Sequence, residues 1–272
     1  MMSLASILKD WELWGLSEEP VGTHQVQLLA GGLTNVCYRL SLASGDYVLR
    51  ISAANADDLG INRDQEIRIH QWVAEHKLTS PVRYCAEDHG YWIRDYVEGE
   101  VLSESVVDAI DLPNSILEYM VEHLKFLHQL PVELDLPRMN ISDSAERYWQ
   151  ILEHNNSNDE LLKMKPLMQV AMQEAPAGDF CLCHLDPVLA NWVYTPDGLQ
   201  LLDWEYSGLA HPLWDLAAFW QGIKEKSNAG EDQLASMEQK ILTMYGVSNL
   251  TAWRRANVQM EYLSSLWYRA QS

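Results

Sequence analysis

The chain has 272 residues, room for one domain or two packed lobes at about 100–200 residues each. Its 47% hydrophobic and 21% charged residues are ordinary globular values that argue against extensive disorder. With 19 Lys and Arg against 39 Asp and Glu, the formal charge is −20; this disfavours any grip on a nucleic-acid backbone or an anionic membrane and suits a cationic partner.

Cys37, Cys85, Cys181 and Cys183 are too sparse to staple a chain of this length and are read as reduced. Cys181 and Cys183 would share one side of a strand, but a C-x-C pair without further spaced ligands is poor zinc evidence, so both are expected to be core thiols. No apolar window of about 18 residues occurs. A soluble, cytoplasmic protein is the expectation.

In chain order, Leu4, Ile7, Leu8, Trp11 and Trp14 form one stripe at helical spacing and predict a helix over the first 16 residues. Strand patterning follows at 26–29, 36–42 and 47–51, joined by the turns Ala30-Gly31-Gly32-Leu33-Thr34-Asn35 and Ser44-Gly45-Asp46. Asn62 with Gln65 resembles a capping box opening a helix over 63–77, and 81–86 and 91–97 read as two more strands. Residues 1–98 therefore predict a five-stranded antiparallel sheet with one inserted helix. Residues 99–272 read as mainly helical. Ser115 and Glu118 predict a second capping box, with Ile116, Leu117, Met120, Leu124 and Leu127 on one helix face. Further helices are expected at 213–225, 232–245 and 250–270, and a small hairpin between 179 and 203, where Pro187, Pro196 and Gly198 break the apolar runs. The boundary near residue 98 is expected to be a hinge between packed lobes.

The chemistry concentrates in Cys183-His184-Leu185-Asp186-Pro187-Val188-Leu189-Ala190-Asn191, followed by Asp203-Trp204-Glu205. Phosphoryl transfer needs a carboxylate to accept the attacking hydroxyl's proton and oxygen ligands to hold a nucleotide-bound Mg²⁺. The spacing H-x-D-x-x-x-x-N followed by D matches the catalytic loop and metal Asp of the kinase fold. The alternative is that Asp186 and Asn191 merely cap a turn and Asp203 ends a strand. For His184, holding the loop by a backbone hydrogen bond outweighs a chemical role. Upstream, Gly31 and Gly32 let backbone approach phosphates, with Thr34 and Asn35 as polar contacts, although an ordinary hairpin turn would look the same. Arg50 and then Glu66 follow in the order of a phosphate-binding cation and its ion-pair partner, with a plain surface pair as the alternative.

Together GGLTN at 31–35, YVLRI at 47–51, Glu66, YWIRDYVEGE at 91–100, CHLDPVLAN at 183–191 and LLDWEYSG at 201–208 resemble the aminoglycoside phosphotransferase and choline kinase superfamily. Within it, the length, the DWEY tetrapeptide, Tyr148-Trp149-Gln150 and the aromatic C-terminal helix are most similar to bacterial thiamine kinases, with bacterial choline kinases next. The resemblance implies an α+β, two-lobed, protein-kinase-like fold with a nucleotide-binding lobe at 1–98 and a catalytic, acceptor-binding helical lobe at 99–272. It implies ATP and Mg²⁺ as cofactors, Asp186 as base, Asn191 and Asp203 as metal ligands, and Arg50 on the phosphates oriented by Glu66. The strand at 93–97, including Asp95 and Tyr96, would read adenine through its backbone.

Two departures stand out. Arg50 occupies a position where many kinases carry Lys, and the Asp-Pro-x-x-Asp pattern expected after the metal site reads His211-Pro212-Leu213-Trp214-Asp215, which keeps Asp215 as a brace for the catalytic loop. Asp203-Trp204-Glu205 also lacks the Gly of D-F-G and no A-P-E follows, so a small acceptor is expected rather than a protein. Tyr148, Trp149, Trp204, Tyr206, Trp214, Trp220, Trp267 and Tyr268 flank the site, each more readily core packing than pocket wall. A few of them, with Trp204, Glu205 and Asp215 as acceptor candidates beside Asp186, would hold a cationic ring or quaternary ammonium. The expected activity is phosphorylation of thiamine, with choline, ethanolamine or an aminoglycoside as alternatives. A non-catalytic kinase-like binding module and a metal-dependent hydrolase using His184, Asp186 and Asp203 are the competing classes.

Overall fold

The computed structural model describes residues 3–271 apart from 32–33, 54–55, 57–58, 107, 156–158 and 177. It divides into two compact units, Met1–Glu98 and Gly99–Ser272.

In the first unit, α1 (Leu4–Ile7), a 3₁₀ turn at Leu8–Asp10 and α2 (Trp11–Trp14) replace the single helix expected there. The tighter turn brings Ile7, Leu8 and Trp14 together into the core with Leu40, Leu49, Ile51 and Ile93. The strands are β1 (Val26–Gly31), β2 (Asn35–Leu42), β3 (Gly45–Ser52), β4 (Val82–Cys85) and β5 (Tyr91–Asp95), antiparallel in the order β1-β2-β3-β5-β4. The central strand β3 is buried without a break from Tyr47 to Ile51, as a strand covered on both faces must be, so Arg50 is a guanidinium inside an apolar run. Its partner comes from α3 (Arg63–Glu75), which starts where predicted because the Asn62 side chain accepts the Gln65 N–H at 3.0 Å.

The second unit begins with β6 (Glu100–Val101) and α4 (Leu102–Ser105), then α5 (Asn114–Gln129), α6 (Ile141–Asn155), α7 (Glu160–Lys163) and α8 (Lys165–Gln173). The Ser115 capping box does not form, because α5 starts at Asn114 after Pro113 and Ser115 already lies inside the helix. Next come β7 (Cys181–Cys183), β8 (Trp192–Thr195), β9 (Gly198–Leu201) and β10 (Gly208–Ala210), then α9 (Pro212–Glu225), α10 (Glu231–Tyr245) and α11 (Leu250–Ala270). The hairpin expected between 179 and 203 is β8 and β9, which pair antiparallel; β7 pairs with β10, and β6 joins β8. Gly99 makes that last pairing possible, since a Cβ there would sit 2.4 Å from the Tyr194 carbonyl oxygen.

Helix α9 is buried on nearly every side, from Leu213 through Ile223, which identifies it as the core helix of the unit. It is tied to α11 by Trp214 Nε1, which donates to Gln259 Oε1 at 2.7 Å, while Gln259 Nε2 donates to the Ala171 and Glu174 carbonyls at 2.6 and 2.9 Å. Among the described residues, no helix is long and apolar enough to cross a membrane.

Candidate active site

In the first unit the chemistry centres on Glu66. Its carboxylate accepts from Arg50 Nη1 through Oε1 and from Arg63 Nη1 at 2.7 Å through Oε2. Arg50 and Glu66 are 4% and 2% exposed, so this is a desolvated pair rather than a surface one. The Arg50 guanidinium carbon lies over the Trp92 ring, 5.3 Å from its centroid. Arg63 was not anticipated, although its position three residues before Glu66 on α3 is the spacing at which helical side chains meet. Arg63 Nη2 also donates to the Thr34 carbonyl at 3.1 Å, tying the turn after β1 to α3. Thr34 and Asn35 are buried and hydrogen-bonded to each other at 3.1 Å, Gly31 ends β1, and Gly32 lies outside the described residues. On β5 the Asp95 and Tyr96 N–H groups donate to the Pro81 and Asp46 carbonyls at 3.1 and 3.0 Å, which leaves their carbonyl oxygens as the backbone groups for a base edge. The Asp95 carboxylate is held by Arg83 at 2.6 and 2.7 Å, and Tyr96 lies under the Arg39 guanidinium.

In the second unit, β7 delivers the chain into the loop that carries Asp186. Leu185, at φ 66°, turns it sharply, and Asp215 from α9 grips the turn by accepting the His184 N–H at 2.9 Å and the Leu185 N–H at 2.7 Å. Burial opposes charge on Asp215, but its hydrogen bond with His128 and the loop amides outweigh that and hold its carboxyl below the ordinary value. His184 is wholly buried: Nε2–H donates to the Leu202 carbonyl at 2.9 Å and Nδ1 accepts the Asp186 N–H at 3.2 Å. Desolvation lowers its pKa to about 4. With both ring nitrogens occupied, His184 joins the Asp186 loop to the segment leading into Asp203 and does not present a reactive nitrogen.

Asn191 Nδ2 donates to the Asp186 carbonyl at 2.8 Å and to its carboxylate Oδ2 at 3.0 Å, which sets the carboxylate's orientation. Burial, then the charge of Asp203, push the Asp186 carboxyl up to about 8. Asp203 is half-buried and held at φ 65°, an uncommon conformation for a residue with a side chain. The spaced motif of the sequence thus becomes one side-chain cluster.

Asp186 also forms part of the wall of a cavity of about 140 Å³ between α6, α9 and α11. Tyr148, Tyr206, Trp267 and Tyr268 line it, with Glu225 at the mouth. Trp267 Nε1 donates to the Tyr206 hydroxyl at 2.8 Å, and the Tyr268 hydroxyl donates to the Glu225 carboxylate at 3.2 Å. The expected acceptor residues Trp204 and Asp215 do not reach this wall: both are wholly buried, Trp204 edge-on to the His184 ring at 4.7 Å. Glu205 is buried beside the loop and does not line the cavity either. Trp149, Trp214 and Trp220 are core residues. Glu225 was missed, since nothing in its local pattern separates it from any other exposed carboxylate at a helix end.

Comparison with known proteins agrees with this geometry. The family model APH, phosphotransferase enzyme family, matches residues 25–257. Protein LicA of Haemophilus influenzae is 26% identical over 244 residues, covering 88% of this chain and 70% of that protein. Thiamine kinase of Escherichia coli O157:H7 (strain EC4115 / EHEC) is 29% identical over 160 residues, 57% of this chain and 53% of that protein, so the chain spans about half of that relative. Choline kinase LicA from Streptococcus pneumoniae superposes with a TM-score of 0.71 at 20% identity over 98% of this chain and 90% of that one, a likeness of fold that identifies the architecture as kinase-like. A match that runs from β1 into α11 and includes Glu66, Asp186, Asn191 and Asp203 leaves one conclusion: the chain belongs to the phosphotransferase enzyme family.

Proposed function

We propose that this protein transfers the γ-phosphoryl group of ATP to the hydroxyl of a small cationic alcohol, with thiamine as the first acceptor to test. The observation that carries the reading is the Asp186 carboxylate, oriented by Asn191, in the wall of a cavity lined by four aromatic side chains. Aromatic faces with a carboxylate at the mouth attract a cation at short range.

The donor set near the loop fits Mg²⁺. Asn191 uses its amide N–H groups on Asp186, which leaves its Oδ1 as an acceptor, and Asp203 adds a carboxylate; hard oxygen donors are what Mg²⁺ takes. When bound, the ion would neutralise charge on the nucleotide phosphates. The protein's own steps are then these. In its ionised form Asp186 accepts the acceptor hydroxyl's proton as that oxygen bonds to the γ-phosphorus and the bond to ADP breaks. Arg50, kept in place by Glu66, holds phosphate charge, and Asp215 and His184 keep the loop in register.

Thiamine is placed first because the DWEY segment and the C-terminal helix resemble thiamine kinases. A compact acceptor such as choline is the second reading, favoured by a cavity of only about 140 Å³, below the usual range of small-molecule pockets of about 300 Å³ and more. A coupled ADP-release assay with MgATP against thiamine, choline, ethanolamine, an aminoglycoside, homoserine and a sugar tests both. A cation should be turned over best, and Trp267→Ala or Glu225→Gln should raise its KM more than that of ATP. If homoserine or the sugar outperforms every cation, the acceptor reading fails while phosphotransfer stands; no ADP release with any acceptor would favour a binding module.

A further inference from the structure

A second cavity, of about 380 Å³, has His128, Cys181 and Tyr245 in its wall. We propose that His128, Cys181 and Cys183 form a site for a thiophilic d¹⁰ metal ion, zinc being the ion that suits it best.

Three features of the geometry support this. The strand's alternation places both cysteine side chains on one face of β7, with the sulfurs 3.7 Å apart. Two thiolates on a tetrahedral zinc, with Zn–S of about 2.3 Å, lie about 3.8 Å apart, so the sulfurs are already spaced as one edge of the tetrahedron. The third ligand comes from α5, and the three ligand atoms all lie within 4.8 Å of one another. A small closure of the histidine completes three legs of the site.

The histidine is also prepared for this task. His128 Nε2 is 2.8 Å from Asp215 Oδ2, and a carboxylate can only accept, so the ring proton sits on Nε2. Nδ1 then accepts a hydrogen bond from the Tyr245 hydroxyl at 2.6 Å, and its lone pair points away from the Asp215 contact. A histidine that donates one N–H to a buried carboxylate and offers the other nitrogen is the usual arrangement around bound zinc. The metal would displace the Tyr245 hydroxyl and the two thiol protons, which leave to solvent and end the S–H contacts with the Ala210 carbonyl, and the cavity leaves room for water as fourth ligand and a path of entry. Ordinary core packing explains the wholly buried Cys183; it does not explain why half-buried Cys181 faces a cavity beside a second sulfur and an oriented imidazole.

Occupation would have a mechanical consequence. Asp215 holds His128 and the amides of His184 and Leu185 at once, so a metal on His128 anchors the assembly that holds the Asp186 loop.

The test uses the full chain, treated with chelator and kept reduced with a phosphine. Cd²⁺ or Co²⁺ should produce a thiolate-to-metal charge-transfer band that saturates at one equivalent, and Zn²⁺ should bleach it. Cys181→Ser should remove the band, whereas Tyr245→Phe should keep it. A divalent ion on Asn191 and Asp203 gives no such band, because those donors are oxygens. In the unaltered protein, Zn²⁺ should also protect Cys181 from alkylation, because a metal-bound thiolate is a poorer nucleophile, a readout that needs no variant to fold. Absence of the band, its survival in Cys181→Ser, or alkylation unaffected by Zn²⁺ would each overturn the site.

Discussion

Asp186 has its backbone carbonyl and carboxylate fixed by Asn191 and its N–H taken by His184, so the side chain has little freedom left. Asp186→Asn retains size and polarity and removes only the proton acceptor. It should lower kcat by about 10²–10⁴-fold, the usual worth of a general base, with little change in the KM for ATP. Steady-state kinetics at saturating acceptor decide it, and full activity would defeat the assignment. Arg50 is a different case because it is buried in β3 and shares Glu66 with Arg63. Arg50→Ala should raise the KM for ATP and slow turnover together, since a cation on phosphate acts in both ground and transition states. It should also lower the melting temperature by leaving Glu66 half-compensated. Arg50→Lys should recover part of both losses. ATP kinetics that stay the same in Arg50→Ala while stability falls would reduce the pair to a structural one.

At the scale of elements, α9 does two jobs from positions about two turns apart on it. Asp215 near its start holds the loop amides, and Gly222 farther along lets the helix lie against the loop itself. A Cβ at Gly222 would meet the Val188 Cα at 3.0 Å, and backbone cannot swing aside as a flexible side-chain end can. Gly222→Ala should therefore shift the loop at Val188, close to Asp186. A loss of kcat is expected together with a destabilisation of about 1–3 kcal/mol, the usual cost of overpacking. Denaturant midpoints and kcat measured on the same preparation check it, and unchanged kcat would show that the helix, not the loop, gives way.

For the whole molecule, two buried neutral histidines and the Asp186 carboxyl pull stability in opposite directions with pH. Below about 8 native Asp186 keeps a proton that the unfolded chain releases, which offsets one of the two histidines and leaves the other to set the slope. Desolvation lowers both His123 and His184 from the ordinary 6.5 to about 4. Between these values the unfolded chain binds protons that the native chain refuses, so stability rises with pH over that window and is lost as pH falls from 6.5 towards 4. The loss can reach about 3 kcal/mol per histidine at the acid end. Urea midpoints should fall between pH 7 and 5, before most carboxylates titrate. His123→Leu should flatten the dependence, because it removes one of the two protonations from a residue that only packs edge-on against Trp192. A midpoint that stays level over this range in the parent would contradict buried neutral histidines.

What was legible in the sequence is what depends on neighbours along the chain. Asn62 signalled its helix because a cap acts within one turn. The alternating strands before and after it carry their own period, and the 183–203 motif was readable because a loop and the strand beyond it place Asp186, Asn191 and Asp203 within a short stretch. Distant partners were not legible. His128 and Asp215 meet across 87 residues, and Trp267 and Tyr206 across 61, so no local period announces either pair. The same limit separates two strand pairs: β8 and β9 follow one another in sequence and their hairpin was legible, whereas β7 pairs with β10 from beyond the motif, a partner that no local pattern announces. Trp204, which has the same composition signal as Trp267, became core while Trp267 became pocket wall. A residue's type determines what chemistry it can offer, and burial of apolar area among helices far apart in sequence determines which side chains face the cavity where that chemistry is used.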